Sequence, residues 1–116
     1  MSKSIVFSKD NYYEAIIQLR PYNEEVFSFI EREILKAKKE VMVAKIDEIK
    51  VGLNIYLSSM KFARSLATKL KKTFHSGELK TTRKLHTRDK LTSKDVYRVT
   101  ILFRYNPPKK SEPKEQ

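Results

Sequence analysis

Lysine and arginine side chains are concentrated in the second half of the chain, in a pattern suited to binding phosphate groups. Residues 60–106 carry thirteen Lys and Arg against three Asp and Glu, a net charge of +10, whereas residues 1–59 carry nine of each. Arginine grips a phosphate with two parallel hydrogen bonds, and lysine supplies a point charge. The excess predicts a surface that meets nucleic acid or another polyanion. The competing interpretation is a solvated lysine-rich face.

The candidate phosphate contacts lie on a predicted helix and on the basic hairpin that follows it. They are Lys61, Arg64, Lys69, Lys72, Lys80, Arg83, Lys84, His86, Arg88, Lys90, Lys94, Arg98 and Arg104. Successive residues of a strand point to opposite faces, so these side chains cannot all face one way. The most coherent group is the turn of the hairpin with its non-core faces: Arg83, Lys84, Arg88, Lys90, Lys94, Arg98 and Arg104.

Two tyrosines are candidates for stacking on nucleic-acid bases. Tyr12 and Tyr56 fall on the polar sides of their predicted strands, and an open sheet face is where aromatic side chains stack on bases in RNA-recognition modules. The glycine-aromatic motif of those modules is absent. A half-buried tyrosine with a solvated hydroxyl is the competing interpretation.

Residues that could carry catalysis or hold a metal are scarce. The chain has no cysteine, which excludes disulfides, zinc ribbons and thiol nucleophiles, and neither His75 nor His86 has a nucleophile and a carboxylate at a recognisable spacing. Two isolated glycines cannot form a phosphate-binding loop. We therefore expect no enzyme, no cofactor, no metal and no small-molecule substrate.

No segment has the features of a membrane span or a signal peptide. No apolar run approaches the roughly 18 residues that a span needs, and the first ten residues lack a signal peptide's apolar stretch and cleavage site. The expectation is a cytoplasmic protein without membrane contact.

Hydrophobic periodicity predicts seven elements along the chain. They are a strand at 12–20, a helix capped by Asn23 and running to about 39, strands at 41–48 and 52–58, a helix capped by Ser58 or Ser59, and hairpin strands at 79–87 and 96–104. Gly77 stands just past the second helix, where a left-handed residue is often needed.

This order predicts an α+β fold of the ferredoxin-like, split βαβ type (βαββαβ). Two helices would cover one face of an antiparallel sheet, and an extra C-terminal strand would complete the basic hairpin. Which of the last two strands pairs with the first stays open. The predicted organisation is a flexible N-terminal arm at 1–11, one domain at 12–106 and a disordered polar tail at 107–116.

Four stretches of the predicted domain match a known pattern in order and spacing. They are Tyr-Tyr-Glu-Ala-Ile-Ile-Gln-Leu-Arg at 12–20, Ile-Asp-Glu-Ile-Lys-Val-Gly-Leu-Asn-Ile-Tyr-Leu-Ser-Ser at 46–59, Arg-Lys-Leu-His-Thr-Arg-Asp at 83–89 and Val-Tyr-Arg-Val-Thr at 96–100. With them the chain resembles the central conserved segment of the nonsense-mediated-decay-protein-three family. This family comprises the adapters that eukaryotes use to export the large ribosomal subunit and that archaea also encode.

The resemblance implies docking on the large ribosomal subunit, with contacts to rRNA and ribosomal proteins and no catalysis. Family members begin with paired Cys-x-x-Cys zinc modules, which a cysteine-free chain cannot form. The resemblance is therefore to the central domain alone, in an archaeal-like form without the zinc modules.

The expected function is non-catalytic binding of the large subunit through rRNA phosphates, in ribosome biogenesis or in control of subunit joining during translation. One alternative is a free-standing protein that binds single-stranded RNA through Tyr12 and Tyr56. Another is a module whose basic face binds an acidic protein. The sequence predicts no oligomeric state.

Overall fold

The computed structural model describes Phe7, residues 12–89 and residues 94–105; for residues 85–89 and 94–96 the description covers the backbone. Seven elements follow one another in the predicted order. They are β1 (Ala15–Arg20), α1 (Glu24–Lys36), β2 (Val43–Ile49), β3 (Gly52–Leu57), α2 (Met60–Thr73), β4 (Glu78–Asp89) and β5 (Lys94–Arg104). The predicted α+β fold with a C-terminal hairpin is thus confirmed, while the predicted arm and tail lie outside the described residues except for Phe7.

The five strands form one sheet in the order β2-β3-β1-β5-β4. β1 therefore pairs with the last strand, which decides the question that the sequence left open. This pair is parallel, from Ala15 beside Val99 to Arg20 beside Arg104, whereas the three other pairs are antiparallel. The sheet is consequently mixed rather than wholly antiparallel, because β4 runs to the outer edge and β5 returns between β4 and β1.

One face of the sheet carries the hydrophobic core. We call this side the covered face. Its fully buried side chains lie in register on the three central strands β3, β1 and β5: Ala15, Ile17, Leu19, Ile55, Leu57, Val99, Ile101 and Phe103. Both helices pack against it, with Val26, Ile30 and Ile34 from α1 and Ala63, Leu66, Ala67 and Leu70 from α2. We call the opposite side the open face, because no helix of the described chain lies on it. Neither helix is long and apolar enough to cross a membrane.

Both helices begin with the predicted caps. The backbone N–H of Val26 donates to Asn23 Oδ1 at 3.0 Å, and that of Phe62 donates to Ser59 Oγ at 3.1 Å. Each cap satisfies a backbone donor that has no partner within the helix. The first helix ends at Lys36, earlier than the predicted 39, and a turn over residues 37–40 follows it.

The first strand begins at Ala15, three residues later than predicted, because the chain bends at Glu14. One carboxylate oxygen of Glu14 accepts from the backbone N–H of Met60 at 2.8 Å, and the other accepts from the hydroxyl of Tyr12. Glu14 thereby adds a negative charge at the N-terminus of α2, where the helix dipole favours it. The bend interrupts the predicted alternation, so Tyr13 does not share a face with Ala15.

The two glycines are required by close packing of neighbouring strands. Gly52 has a φ of +154°, and a β-carbon there would lie 1.9 Å from the carbonyl oxygen of Leu19. Gly77 does not adopt a left-handed conformation, so that prediction was wrong. A β-carbon on Gly77 would lie 2.3 Å from Cζ of Phe103, and the absence of a side chain is what lets the core ring fit.

A buried carboxylate joins the two helices. Glu33 is 7% exposed, and its oxygens accept from Lys69 Nζ at 2.8 Å and from Lys36 Nζ at 3.1 Å. The hydrogen bond from Lys69 lowers the pKa of Glu33, burial opposes this shift, and the hydrogen bond from Lys36 adds to it. The charged form of Glu33 is therefore the one that stabilises the fold.

Replacing Gly52 with alanine should lower the free energy of unfolding by about 1–3 kcal/mol, since a side chain there combines an unfavourable φ with a clash against β1. Urea unfolding followed by circular dichroism measures the change. Lys50→Ala, at an exposed position of the turn just before this strand, is the control. Equal stability of wild type and Gly52→Ala would show that the turn relaxes at little cost.

Glu33→Gln should lower the free energy of unfolding by about 1 kcal/mol at pH 7, because it removes the charge that both lysines meet. The folded-state pKa of Glu33 is lowered, so its contribution is present above the pKa of an unfolded glutamate and is lost as the pH falls through the folded pKa. The difference between the two proteins should therefore shrink as the pH falls below the ordinary pKa of a glutamate, about 4.3.

Urea unfolding at a series of pH values tests this expectation. Glu40→Gln, at an exposed position after α1, is the control and should follow the wild type at every pH. If the difference in free energy of unfolding between wild type and Glu33→Gln stayed constant across the acid range, the charge of Glu33 would not be what stabilises the fold.

Candidate nucleic-acid interface

The open face carries most of its cations on one side, where the hairpin lies. Strand alternation places residues 78, 80, 82 and 84 of β4 and residues 98, 100, 102 and 104 of β5 on this face, opposite the buried Val99, Ile101 and Phe103. In register, Lys80 pairs with Leu102, Lys84 pairs with Arg98, and the exposed Glu78 pairs with Arg104. Four candidate phosphate contacts therefore share one flat surface: Lys80, Lys84, Arg98 and Arg104.

The remaining candidates lie elsewhere. Lys61, Arg64, Lys69 and Lys72 are exposed on the outer side of α2, across the molecule from the open face. Arg83 pairs with Val99 and so points to the covered side of the hairpin, where its guanidinium carbon lies 4.4 Å from the ring centre of Tyr97. His86 and Arg88 belong to β4 and Lys94 to β5, described by their backbone, and Lys90 lies outside the described residues. The predicted phosphate contacts are thus divided between at least two surfaces of the molecule.

A row of two aromatic rings with a cation at each end crosses the open face. The guanidinium carbon of Arg98 lies 4.0 Å from the ring centre of Tyr13, the rings of Tyr13 and Tyr56 meet edge to face at 4.9 Å, and Lys45 Nζ lies 4.7 Å from the ring centre of Tyr56. Such contacts are favourable because a ring face is electron-rich. The row runs from β5 to β2 and so crosses the sheet positions of β1 and β3, which lie between them.

Arg98 is held by hydrogen bonds as well as by stacking. Its Nε donates to the backbone carbonyl of Tyr13 at 3.1 Å, and a terminal nitrogen donates to the Tyr13 hydroxyl at 3.3 Å. Arg98, on β5, therefore holds in place the segment that precedes β1. A residue chosen from the sequence as a phosphate contact also has a structural role.

Tyr13, rather than Tyr12, is the neighbour of Tyr56. Tyr12 is about half exposed, and its hydroxyl donates to Glu14. This hydrogen bond, with burial as the second cause, raises the pKa of Tyr12 to about 12. The rings of Tyr13 and Tyr56 each carry a cation over one face, which leaves less of each ring for a base. Base stacking by Tyr12 and Tyr56 stays a prediction.

Arg20 is a cation of the open face that the sequence analysis did not select. Its guanidinium donates to the carbonyls of Leu19 at 3.1 Å and Leu53 at 2.9 Å, and to Asn54 Oδ1 at 2.7 Å. Burial lowers its pKa, yet an arginine stays charged at neutral pH. Its position beside Arg104 in the parallel pair adds a fixed positive charge near the hairpin. The sequence did contain a signal for this position, because the alternation of β1 places Arg20 on the side opposite the buried Leu19.

The outer half of the hairpin projects past the rest of the sheet. β5 begins to pair with β1 only at Val99, whereas it pairs with β4 along its whole length, from Lys94 opposite Asp89 onward. The register shifts between Leu85 and Thr87, which is a bulge and increases local twist. Among the described residues, this two-stranded ribbon has no further strand beside it, so it can enter a concave partner that a flat sheet cannot reach.

Metal binding has no support in the described part of the chain, where no group of three or more His, Cys, Asp or Glu residues is placed to hold an ion. The arrangement of the open face suits recognition of a phosphate backbone, since it offers several exposed cations on one surface.

Comparison with known proteins identifies one family. The family model described as "NMD3, second domain" matches residues 12–104, which is most of the 116-residue chain and covers every strand and helix. A search of curated proteins gives no match. NMD3 abbreviates the family that the four sequence stretches resemble.

Arg98→Lys should lower the free energy of unfolding by about 1 kcal/mol, because lysine cannot lie flat on the Tyr13 ring while donating to the Tyr13 carbonyl. The control is Arg104→Lys, the same change at an exposed position of the same strand and face, with an expected effect within about 0.5 kcal/mol. Urea unfolding measures both. Equal losses would show that the contacts of Arg98 with Tyr13 do not stabilise the fold.

Proposed function

This chain belongs to the NMD3 family, and we propose that it binds the large ribosomal subunit through rRNA phosphates without catalysing a reaction. The family match supports a ribosome-related role, because NMD3 proteins are associated with the large subunit. The match is to one domain of these proteins. Binding to the subunit is a property that one domain can have by itself, so it is the property to test first.

The observation that carries the RNA-contact part of the proposal is the set of hairpin cations on the open face. Lys80, Lys84 and Arg104 are exposed, and Arg98 lies among them in register. Four cations on one flat surface can meet successive phosphates of one strand, whereas the same number scattered around the molecule could not. The hairpin is therefore proposed as the main contact, as the charge pattern of the sequence predicts.

Salt dependence follows from this mode of binding. Each phosphate that is neutralised releases counterions, and if about six are neutralised the affinity should fall roughly a thousandfold between 50 and 200 mM salt. Arg88 and Lys94 in the outer half of the hairpin, and Lys90, which lies outside the described residues, are candidates for the contacts beyond the four on the open face.

The proposed setting is the cytoplasm, in assembly of the large subunit or in control of its joining to the small subunit. A domain that occupies rRNA on the large subunit can exclude other factors from that site without chemistry of its own. The proposed partners are rRNA and the ribosomal proteins that surround the site.

A second candidate is free-standing binding of single-stranded RNA. It is favoured by the apolar and aromatic side chains that lie among the open-face cations, namely Ile16, Leu102, Tyr13 and Tyr56, all half-buried. In that case replacement of Tyr56 with serine should weaken binding to an unpaired oligonucleotide more than replacement of Lys84 with serine does. Binding to subunits should be weak or absent.

The test uses two triple variants that remove the same amount of positive charge from different surfaces. Lys80→Glu, Lys84→Glu and Arg104→Glu change the open face, and Lys61→Glu, Arg64→Glu and Lys72→Glu change the outer side of α2. Arg98 is left intact because of its contacts with Tyr13. Tagged wild type should sediment with large subunits on a sucrose gradient at low salt and less so at high salt.

The expected result is that the open-face variant stays at the top of the gradient while the α2 variant still sediments with the subunit. Circular dichroism confirms that both remain folded. The proposed surface is wrong if the two variants lose binding equally or if the α2 variant alone loses it. If wild type does not sediment with the subunit at either salt, binding to the subunit is wrong. A subunit complex that survives nuclease treatment instead indicates a contact with protein.

A further inference from the structure

Exposed apolar side chains follow one edge of the sheet. Six large hydrophobic residues of the described chain are substantially exposed, and five of them lie on or beside β2: Phe7, Tyr22, Met42, Ile49 and Val51. Val51 is 57% exposed and Tyr22 is 50% exposed. Single exposed apolar residues need no explanation, but a row along one element marks a binding surface.

β2 is an outer strand with one strand neighbour, β3. On its other side, the described residues supply a single parallel bridge, between Phe7 and Val43. An outer strand offers backbone donors and acceptors to any extended segment that lies alongside it. The Phe7 bridge shows that this edge can accept an extended backbone parallel to itself, at the start of the strand.

A groove of about 380 Å³ lies at the other end of β2, between this strand and the start of α1. Tyr22 and Phe27 line one side, with ring centres 6.1 Å apart, and Ile46, Ile49 and Leu53 line the other. The groove is therefore mainly apolar and large enough to hold one side chain of a bound peptide.

The charged groups at this groove are acidic. Glu48 lines it directly. Burial, followed by the negative charges of Glu24, Glu31 and Glu48, raises the pKa of Tyr22, which also lines the groove. The groove thus has the opposite sign to the hairpin, and its charge disfavours both nucleic acid and acidic protein.

We propose that the edge of β2 and the adjoining groove bind an extended segment, rich in lysine and arginine, of another protein. The segment adds a strand along Ile46–Ile49, its basic side chains meet Glu48 and the carboxylates around Tyr22, and an apolar side chain enters the groove. Backbone pairing supplies affinity, and charge with the apolar anchor supplies specificity.

Pairing between two copies of this chain is disfavoured by the same features. In the antiparallel register that sets Asp47 of one copy opposite Glu48 of the other, Lys45 would also lie opposite Lys50, and like charges directly opposite one another are destabilising. The register shift between Val43 and Lys45 also interrupts the edge. The partner that fits is therefore basic and is not this chain.

The probe is a short synthetic peptide in which lysine or arginine alternates with valine, added to the isotope-labelled protein and followed by amide chemical shifts. Shifts should concentrate at Ile46–Ile49 and Tyr22 and approach saturation at about 1 mM peptide. A peptide with serine in place of valine should bind more weakly, and one with glutamate in place of the basic residues should cause no shifts.

Two charge reversals separate the groove from general electrostatic attraction. Glu48→Lys should weaken binding of the basic peptide about tenfold, whereas Glu40→Lys, an exposed position after α1, should leave it unchanged. Amide spectra of both variants away from the substituted residue confirm the fold. Phosphate-contact variants of the hairpin should not affect the peptide, which makes this test independent of the proposed RNA surface.

Several results would overturn the proposal. They are the absence of shifts at Ile46–Ile49 at about 1 mM peptide, shifts centred on the hairpin or the open face, and equal weakening by Glu48→Lys and Glu40→Lys. Shifts of the groove residues on addition of oligouridylate would also overturn it, because the surface would then be a nucleic-acid site.

Discussion

The parallel pairing of β1 with β5 is the constraint on which the rest of the structure depends. It brings Val99, Ile101 and Phe103 fully into the core beside Ala15, Ile17 and Leu19. By strand alternation, the same pairing turns Arg98 and Arg104 to the opposite side. One contact between distant parts of the chain thus completes the core and builds the cationic surface. If β4 lay beside β1 instead, β5 would be at the sheet edge and could not bury its apolar side chains between two neighbours.

Some of the open-face cations serve the fold as well as the surface. Arg20 joins β1 to β3 through the carbonyl of Leu53 and the side chain of Asn54, and Arg98 holds Tyr13 against the sheet. Their charges are therefore held in fixed positions, which lowers the conformational entropy lost when a partner binds. Lys80, Lys84 and Arg104 are exposed and contribute to the surface with less consequence for folding. The two groups together give a rigid base with adaptable side chains around it.

The molecule presents two surfaces of opposite character at different edges of one sheet. The hairpin edge is basic and polar, and the β2 edge is apolar with acidic residues around a groove. The net charge of +11 conceals this division, because the acidic residues of the first half are offset by its own lysines and arginines. The two proposed contacts, with RNA at one edge and with a basic protein segment at the other, therefore do not overlap. The family match is consistent with a role of that kind.

The sequence alone predicted the properties that depend on near neighbours. Apolar spacing located all seven elements, Asn23 and either Ser58 or Ser59 marked the helix starts, and the charge excess marked the second half of the chain as basic, because periodicity, capping and composition act over a few residues. Strand ends and the role of Gly77 were predicted less well. Gly77 faces Phe103, a residue distant in sequence, and the bend at Glu14 depends on Met60.

Only the tertiary structure decided which side chains share a surface. It placed Tyr13 rather than Tyr12 beside Tyr56, separated Arg83 from Lys84, put Lys61, Arg64 and Lys72 on the far side, and buried Glu33 between two lysines. Each outcome depends on which strands pair and in what register. A shift of one residue exchanges the faces of a whole strand, and no local pattern in the sequence fixes it.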